Sequence, residues 1–168
     1  MIMSDKYSVG VLTISDRSYR GEREDLGGPI LIELIEKLGF EVKNFKIVPD
    51  ERINIRETIE EWVDEDDLAL ILTTGGTGFS DRDITPEITI ELCDRRVPGI
   101  SEAMRSYGAK FTPMSYLSRA ESGIRKNTLI INFPGNPKAI RENFEAIIPF
   151  LKHGIDTLRG KNNLKNVH

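Results

Sequence analysis

Sulfur and imidazole are nearly missing from this chain. Among its 168 residues Cys93 is the only cysteine, and His153 and His168 are the only histidines. A single cysteine excludes an intrachain disulfide, and two histidines are too few for a histidine-based metal centre. Cys93 falls in the helical-looking run Ile88-Thr89-Ile90-Glu91-Leu92-Cys93 and reads as a small core residue, not a nucleophile. No apolar run approaches the length that crosses a bilayer, and Met1-Ile2-Met3-Ser4-Asp5-Lys6 holds no apolar targeting core. The expectation is a cytoplasmic protein with no membrane contact. A formal net charge of -4 supplies no basic field for nucleic acid. The two commonest nucleotide motifs are missing as well: neither the Gly-Lys-Ser/Thr ending of a Walker A loop nor a Gly-x-Gly-x-x-Gly spacing is present.

What the chain has is a glycine loop between a strand and a helix. The stretch Ile71-Leu72-Thr73-Thr74-Gly75-Gly76-Thr77-Gly78-Phe79-Ser80-Asp81-Arg82-Asp83-Ile84-Thr85-Pro86-Glu87 begins in the apolar run from Leu68 to Leu72. It should end in a helix with Thr85 as N-cap and Pro86 at the first position, where a missing N–H costs nothing. Backbone amides bared by glycine can approach a phosphate, and carboxylates close by can hold the metal that accompanies it. Taken alone, a Gly-Gly pair also suits an ordinary tight turn.

The remaining chain alternates strand and helix patterns. Tyr7 to Ile14 reads as a buried strand leading to Ser15-Asp16-Arg17, and Gly27-Gly28-Pro29 opens a helix ended at Gly39. Phe40 to Val48 is a second strand, ending at Pro49-Asp50-Glu51, and Ile53 to Asp64 is a helix with Trp62 on its apolar stripe. The helix after the glycine loop should reach about Arg95, Ser101 should cap a short helix, and Pro113 to Leu117 should be irregular or briefly extended. Thr128 to Phe133 is a strongly apolar strand, followed by Pro134-Gly135-Asn136-Pro137. Asn136 then caps a last helix that Pro149 interrupts. No repeat or linker divides the chain, so the expectation is one domain over 1–168, with 161–168 as a frayed tail. Its fold class is α/β, three layers with helices on both faces of a mostly parallel sheet.

Ligands of such sheets bind outside the carboxyl ends of the strands. Four strand ends deliver Ser15 and Asp16, Asp50, Gly75 to Asp83, and Pro134 to Pro137. Paired carboxylates beside a glycine loop, with no histidine near, suit phosphoryl or nucleotidyl transfer better than acyl transfer. Asp50 and Asp83 can hold Mg²⁺ or polarise an attacking group; capping of nearby N–H groups is the structural alternative. Arg82 and Arg119 are further sources of positive charge.

In this order of motifs the chain resembles the molybdopterin-binding family of molybdenum cofactor biosynthesis, of the MogA/MoaB type that includes the plant Cnx G-domain and the gephyrin G-domain. The likeness rests on Thr74-Gly75-Gly76-Thr77-Gly78-Phe79 and Arg82-Asp83-Ile84-Thr85-Pro86-Glu87. It extends to Ile14-Ser15-Asp16-Arg17, Glu24-Asp25 with Gly28-Pro29, Val48-Pro49-Asp50-Glu51, Leu117-Ser118-Arg119 and Pro134-Gly135-Asn136-Pro137. The resemblance implies a nucleotidyltransferase that moves AMP from Mg-ATP to the molybdopterin phosphate, releasing pyrophosphate. Asp50 and Asp83 would be its catalytic and metal-holding aspartates. Ser15, Asp16, Gly75, Gly76, Thr77, Gly78, Phe79, Ser118, Arg119, Pro134, Gly135, Asn136 and Pro137 would bind substrate and nucleotide. A homotrimer and a molybdenum-insertion partner protein are implied by the likeness alone. Ser80-Asp81 departs from the family pattern and adds a carboxylate that either helps hold metal or points outward. A non-catalytic molybdopterin carrier and a competence-damage-type pyridine nucleotide enzyme of the same fold are the competing readings.

Overall fold

The structure is a computed structural model, and it describes residues 6–160. The tail expected to fray, 161–168, lies outside the described residues.

Six strands form one sheet in the order β2-β1-β3-β6-β5-β4. They are β1 (Ser8–Ile14), β2 (Glu41–Val48), β3 (Leu70–Thr74), β4 (Arg95–Arg96), β5 (Ser122–Arg125) and β6 (Thr128–Phe133). The four strands from β2 to β6 in that order pair in parallel, while β5 and β4 complete the sheet antiparallel. The helices are α1 (Asp16–Tyr19), α2 (Gly27–Lys37), α3 (Arg52–Asp64), α4 (Thr85–Leu92), α5 (Pro98–Gly108), α6 (Pro137–Ile147) and α7 (Leu151–Leu158), with a 3-10 turn at Pro113–Leu117.

A central parallel strand is covered on both faces, so its two sets of alternating side chains enter different cores. Val9, Val11, Leu70, Leu72, Leu129, Ile131 and Phe133 join the core under α2, α5, α6 and α7. Leu12, Ile14, Ile71 and Ile130 point the other way, into the core under α3 and α4. Trp62 is core packing, as its stripe predicts: it is 4% exposed, and a Cβ at Gly10 of β1 would stand 2.5 Å from its ring. The two sheet edges are guarded by charge. β4 is two exposed arginines, and β2 exposes Glu41, Lys43 and Lys46 on its rim.

Several boundaries differ from the sequence reading. Ile84, not Thr85, is the N-cap of α4; Thr85 is already helical, and its backbone N–H donates to Gly76 O at 3.2 Å. The loop carbonyl therefore does the work expected of a capping side chain. α4 stops at Leu92 because Cys93 turns extended and Asp94 N–H donates to Ile124 O at 2.7 Å, drawing the chain into the sheet as β4. Ser101 lies inside α5, not at its start, where its hydroxyl pairs with that of Ser122 at 2.7 Å in the core. Pro149 falls in the break between α6 and α7, as expected. No described helix is long and apolar enough to cross a membrane.

Candidate functional site

β1, β2, β3 and β6 run parallel, so their following loops meet at one edge of the sheet. Beyond β3 the chain cannot continue as strand with a side chain. Gly75 has φ +101 and a Cβ there would lie 2.2 Å from Ile14 O; Gly76 has φ +70 and its Cβ would lie 2.2 Å from Thr85 Oγ1. Gly75 N–H donates to Phe133 O at 3.1 Å, and the Thr74 hydroxyl donates to Pro134 O at 2.7 Å. These two bonds join the loops after β3 and β6. The amide expected to reach a ligand from Gly75 is thus already engaged. The N–H groups of Gly76, Thr77 and Gly78 donate to no described residue. Consecutive free amides of this kind make an anion nest.

Two arginines set the loop's shape. Arg119 donates from Nε to Gly78 O at 2.7 Å and from Nη2 to Asp83 O at 2.6 Å, and its Nη1 spans both oxygens of Glu87. Its backbone N–H also donates to Thr77 O at 2.9 Å. Arg82 donates to both oxygens of Asp16 at 2.6 and 3.0 Å, to Asp50 O and to Glu51. Each guanidinium is engaged as a clasp between carboxylates and backbone carbonyls.

Asp16 and Asp50 hold each other's backbone, with both N–H to carboxylate bonds at 2.9 Å. The bond from Arg82 holds the Asp16 carboxyl below its ordinary value. Burial pushes Asp50 the other way, and the neighbouring charges of Asp16 and Asp83 add to the rise. Asp83 accepts Ser80 N–H at 3.0 Å, and its carboxylate stands 2.8 Å from where a Gly78 Cβ would be. Asp81 is exposed, without a hydrogen bond or ion pair, and points outward.

These loops border a cavity of about 810 Å³. Ser15, Asp50, Gly75 to Gly78, Asp83, Ser118 and Pro134 to Pro137 line it, whereas Asp16, Phe79 and Arg119 do not. Phe79 is 72% exposed. Sequence reasoning missed the opposite wall, made by Leu26 and Gly27 of the α2 start, by Lys138, Glu142 and Asn143 of α6, and by the exposed apolar Phe111, Met114 and Leu117. The one available signal was Asn143, a polar residue beside Ile140, Phe144 and Ile147 on the apolar stripe of α6.

The cavity is acidic. Glu24, Asp25, Asp50, Asp83 and Glu142 line it against Arg23 and Lys138. Asp25 is occupied structurally, accepting from Gly28 N–H and the Thr13 hydroxyl. Among the described residues no three carboxylate, imidazole or thiolate groups converge to hold a metal ion. The donors nearest to such a set are Asp50 and Asp83, both on the cavity wall, with the charge of Asp83 adding to the rise at Asp50. Near them Thr85 Oγ1 is fully buried without a partner, and Asp50 Oδ1 lies 3.2 Å from the missing Gly76 Cβ. Two hard oxygen carboxylates, with remaining positions left to phosphate and water, is the donor set Mg²⁺ takes.

A family model described as "Probable molybdopterin binding domain" matches residues 10–153. The chain is 42% identical over 154 residues to the molybdopterin adenylyltransferase of Helicobacter pylori strain J99, covering 90% of this chain and 88% of that one. Its fold superposes on the crystal structure of the molybdopterin biosynthesis enzyme MoaB from Thermus thermophilus with a TM-score of 0.88, at 47% identity over 92% of this chain and 97% of the other. The tungsten cofactor synthesizing protein MoaB of Pyrococcus furiosus superposes with a TM-score of 0.85, at 31% identity over 94% and 99%.

Proposed function

The chain belongs to the molybdopterin-binding family of molybdenum cofactor biosynthesis, and from that premise we propose that it is a molybdopterin adenylyltransferase. It transfers AMP from ATP to the terminal phosphate of molybdopterin, giving adenylyl-molybdopterin and pyrophosphate. The observation that carries this reading is an anion nest at Gly76 to Gly78 set between two carboxylates, Asp50 and Asp83, in a cavity whose lining is itself acidic.

An acidic pocket repels the two polyanions it must join, so it works only with added cations. Asp50 and Asp83 would hold Mg²⁺, which when bound neutralises phosphate charge and polarises the reacting phosphoryl group. The chain's own residues do the rest. Free amides of the nest bind non-bridging phosphate oxygens where negative charge gathers in the transition state. Arg119 and Arg82 hold the nest and the backbone carbonyls of Asp83 and Asp50 in fixed positions, so little reorganisation accompanies the reaction. An oxygen of the pterin-side phosphate attacks the α-phosphorus of ATP. The bond from that phosphorus to the bridging oxygen breaks, and pyrophosphate leaves with the electron pair. A phosphate already ionised at neutral pH needs no general base, in accord with a site lacking histidine. The reading includes a cytoplasmic homotrimer that passes its product to a molybdenum-insertion protein.

Pyrophosphate release from Mg-ATP, with and without molybdopterin, tests the proposal in the native protein and in Asp83→Asn. Release that depends on the pterin and is lost in the variant is expected. Tight pterin binding without release in either protein would replace the enzyme by a carrier.

A further inference from the structure

Thr85 opens α4 directly behind the glycine loop, and its side chain is fully buried. Its backbone is in use on both sides. The N–H donates to Gly76 O at 3.2 Å, and the carbonyl accepts the Thr89 hydroxyl at 2.9 Å. Behind it a polar chain runs through the core, where Asn132 Nδ2 donates to Thr89 Oγ1 and to Thr73 Oγ1 at 3.0 Å each. The Thr73 and Thr89 hydroxyls are thus engaged, whereas Thr85 Oγ1 is sealed from solvent without a partner among the described residues. A buried polar atom in that condition calls for a physical reason, and the commonest are an ordered water, a ligand or a catalytic role.

Gly76 shows where this hydroxyl lies. A Cβ on Gly76 would stand 2.2 Å from Thr85 Oγ1 and 3.2 Å from Asp50 Oδ1. Both oxygens therefore lie over one bare carbon, about 5.4 Å apart at most, those two distances laid end to end. One water making two hydrogen bonds of about 2.8 Å spans such a gap. Asp50 and Gly76 border the cavity, which supplies the room. Asp50 is matched to the hydroxyl: Oδ2 accepts Asp16 N–H at 2.9 Å, and Oδ1 accepts from no described residue. An idle donor and an idle acceptor share the same glycine.

From this we propose that Thr85 is a positioning residue for Asp50, its hydroxyl donating to Oδ1 through one bridging water behind the nest. The inference rests on the function proposed above, and it adds a residue that acts through Asp50 and touches no substrate. The last torsion of an aspartate is soft. Held at Oδ2 alone, the carboxylate rocks about the Asp16 bond; held at both oxygens, its plane is set. A carboxylate has about four lone-pair sites, so each oxygen keeps one for the cavity. Thr85 also grips Gly76 O through its backbone, so one residue holds the first free amide of the nest and the facing carboxylate in register. Glycine at 76 then has a second reason beyond its φ of +70: a side chain there would occupy the space between hydroxyl and carboxylate.

Thr85→Val keeps the shape and deletes the hydroxyl, whereas Thr85→Ser keeps the hydroxyl. Hydrogen exchange at the Asp16 amide, followed by NMR in the protein without substrates, reads the Asp50 carboxylate because that amide donates to Oδ2. Thr85→Val should speed this exchange about tenfold while the core amides of β1 and β3 stay as protected as in the native protein. Its kcat for pyrophosphate release should fall about 10- to 100-fold, the loss usual for a partner that orients a metal-holding carboxylate, with the KM for ATP and for molybdopterin within about threefold. Thr85→Ser should stay within about threefold of native in both readouts. Native-like Asp16 exchange in the valine variant would overturn the assignment. So would a serine variant as impaired as the valine one, a loss of protection spread over the whole sheet, or faster exchange with kcat unchanged. Should the native protein release no pyrophosphate while Asp16 still responds to the valine and not to the serine, the hold of Thr85 on Asp50 stands and the adenylyl transfer falls.

Discussion

Replacing Arg119 by lysine separates two roles that a positive charge beside a phosphate site can have. All three guanidinium nitrogens are engaged, on Gly78 O, Asp83 O and both oxygens of Glu87, at 2.6 to 3.0 Å. The pair with Glu87 is partly exposed, with side chains 36% and 48% accessible, so it contributes about 0–1 kcal/mol. The two carbonyl bonds, each with a charged donor, contribute roughly 1.5 kcal/mol apiece at the low end of their range. About 3 kcal/mol thus holds the segment from Gly78 to Asp83 in place. Lysine keeps the charge but has one compact ammonium and cannot span three acceptors in a plane. If the clasp is what matters, Arg119→Lys should lower kcat/KM by about 100-fold, because roughly 1.4 kcal/mol is tenfold and most of the clasp is lost. Amide hydrogen exchange across 76–85 should speed up together with the loss of activity. A lysine variant with near-native kcat/KM and unchanged exchange would refute the clasp and return Arg119 to the role of a charge for the ligand.

Asn132, fully buried on β6, joins Thr73 of β3 and Thr89 of α4 through Nδ2 at 3.0 Å each and accepts Glu121 N–H at 3.1 Å. Asn132→Leu removes three bonds at about 1 kcal/mol each, and should lower Tm by about 6–12 °C in a scanning melt; a drop under about 2 °C would contradict this. Burial raises the Asp50 pKa in the folded chain, so the native state binds more protons than the unfolded one between the ordinary carboxylate value and the raised one. Stability from this group therefore increases as pH falls through that window, and at neutral pH the ionised form is a cost. Asp50→Asn should melt higher than native at neutral pH while losing turnover by at least about 100-fold, and the acid limb of the native kcat/KM profile should lie above the ordinary carboxylate range. A variant that melts lower, or an unshifted limb, counts against it.

The strand ends that supply Ser15, Asp50 and the glycine loop were legible because parallel topology follows from alternating patterns, and parallel strands send their next loops to one edge. Asn136 as N-cap was legible too, its side chain accepting Ala139 N–H at 3.1 Å. What escaped depends on contacts between distant segments. β4 and β5 are two and four residues long; β5 forms against β6, and β4 in turn against β5. The fates of Arg82 and Arg119 could not be read either, since their carboxylates lie 66 and 32 residues away. Lys138, Glu142 and Asn143 look like ordinary surface and filler residues of a helix until α6 is laid beside the loop after β3.

The guarded sheet edges bear on how copies of this chain can meet. A protein whose outer strands are open can grow by adding strand to strand, and its partners then share one continuous sheet. Here one margin ends in Arg95 and Arg96 and the other carries Glu41, Lys43 and Lys46. Joining two copies of the arginine margin would bring like charges together along unpaired backbone, and the margin of mixed charge must desolvate its charged side chains to pair. Contact through helices and loops avoids that repulsion; of the exposed side chains there, Phe111, Met114 and Leu117 line the cavity, whereas Tyr116 does not. An assembly made in that way leaves each sheet finite, and each subunit keeps its own complete set of strand-end loops.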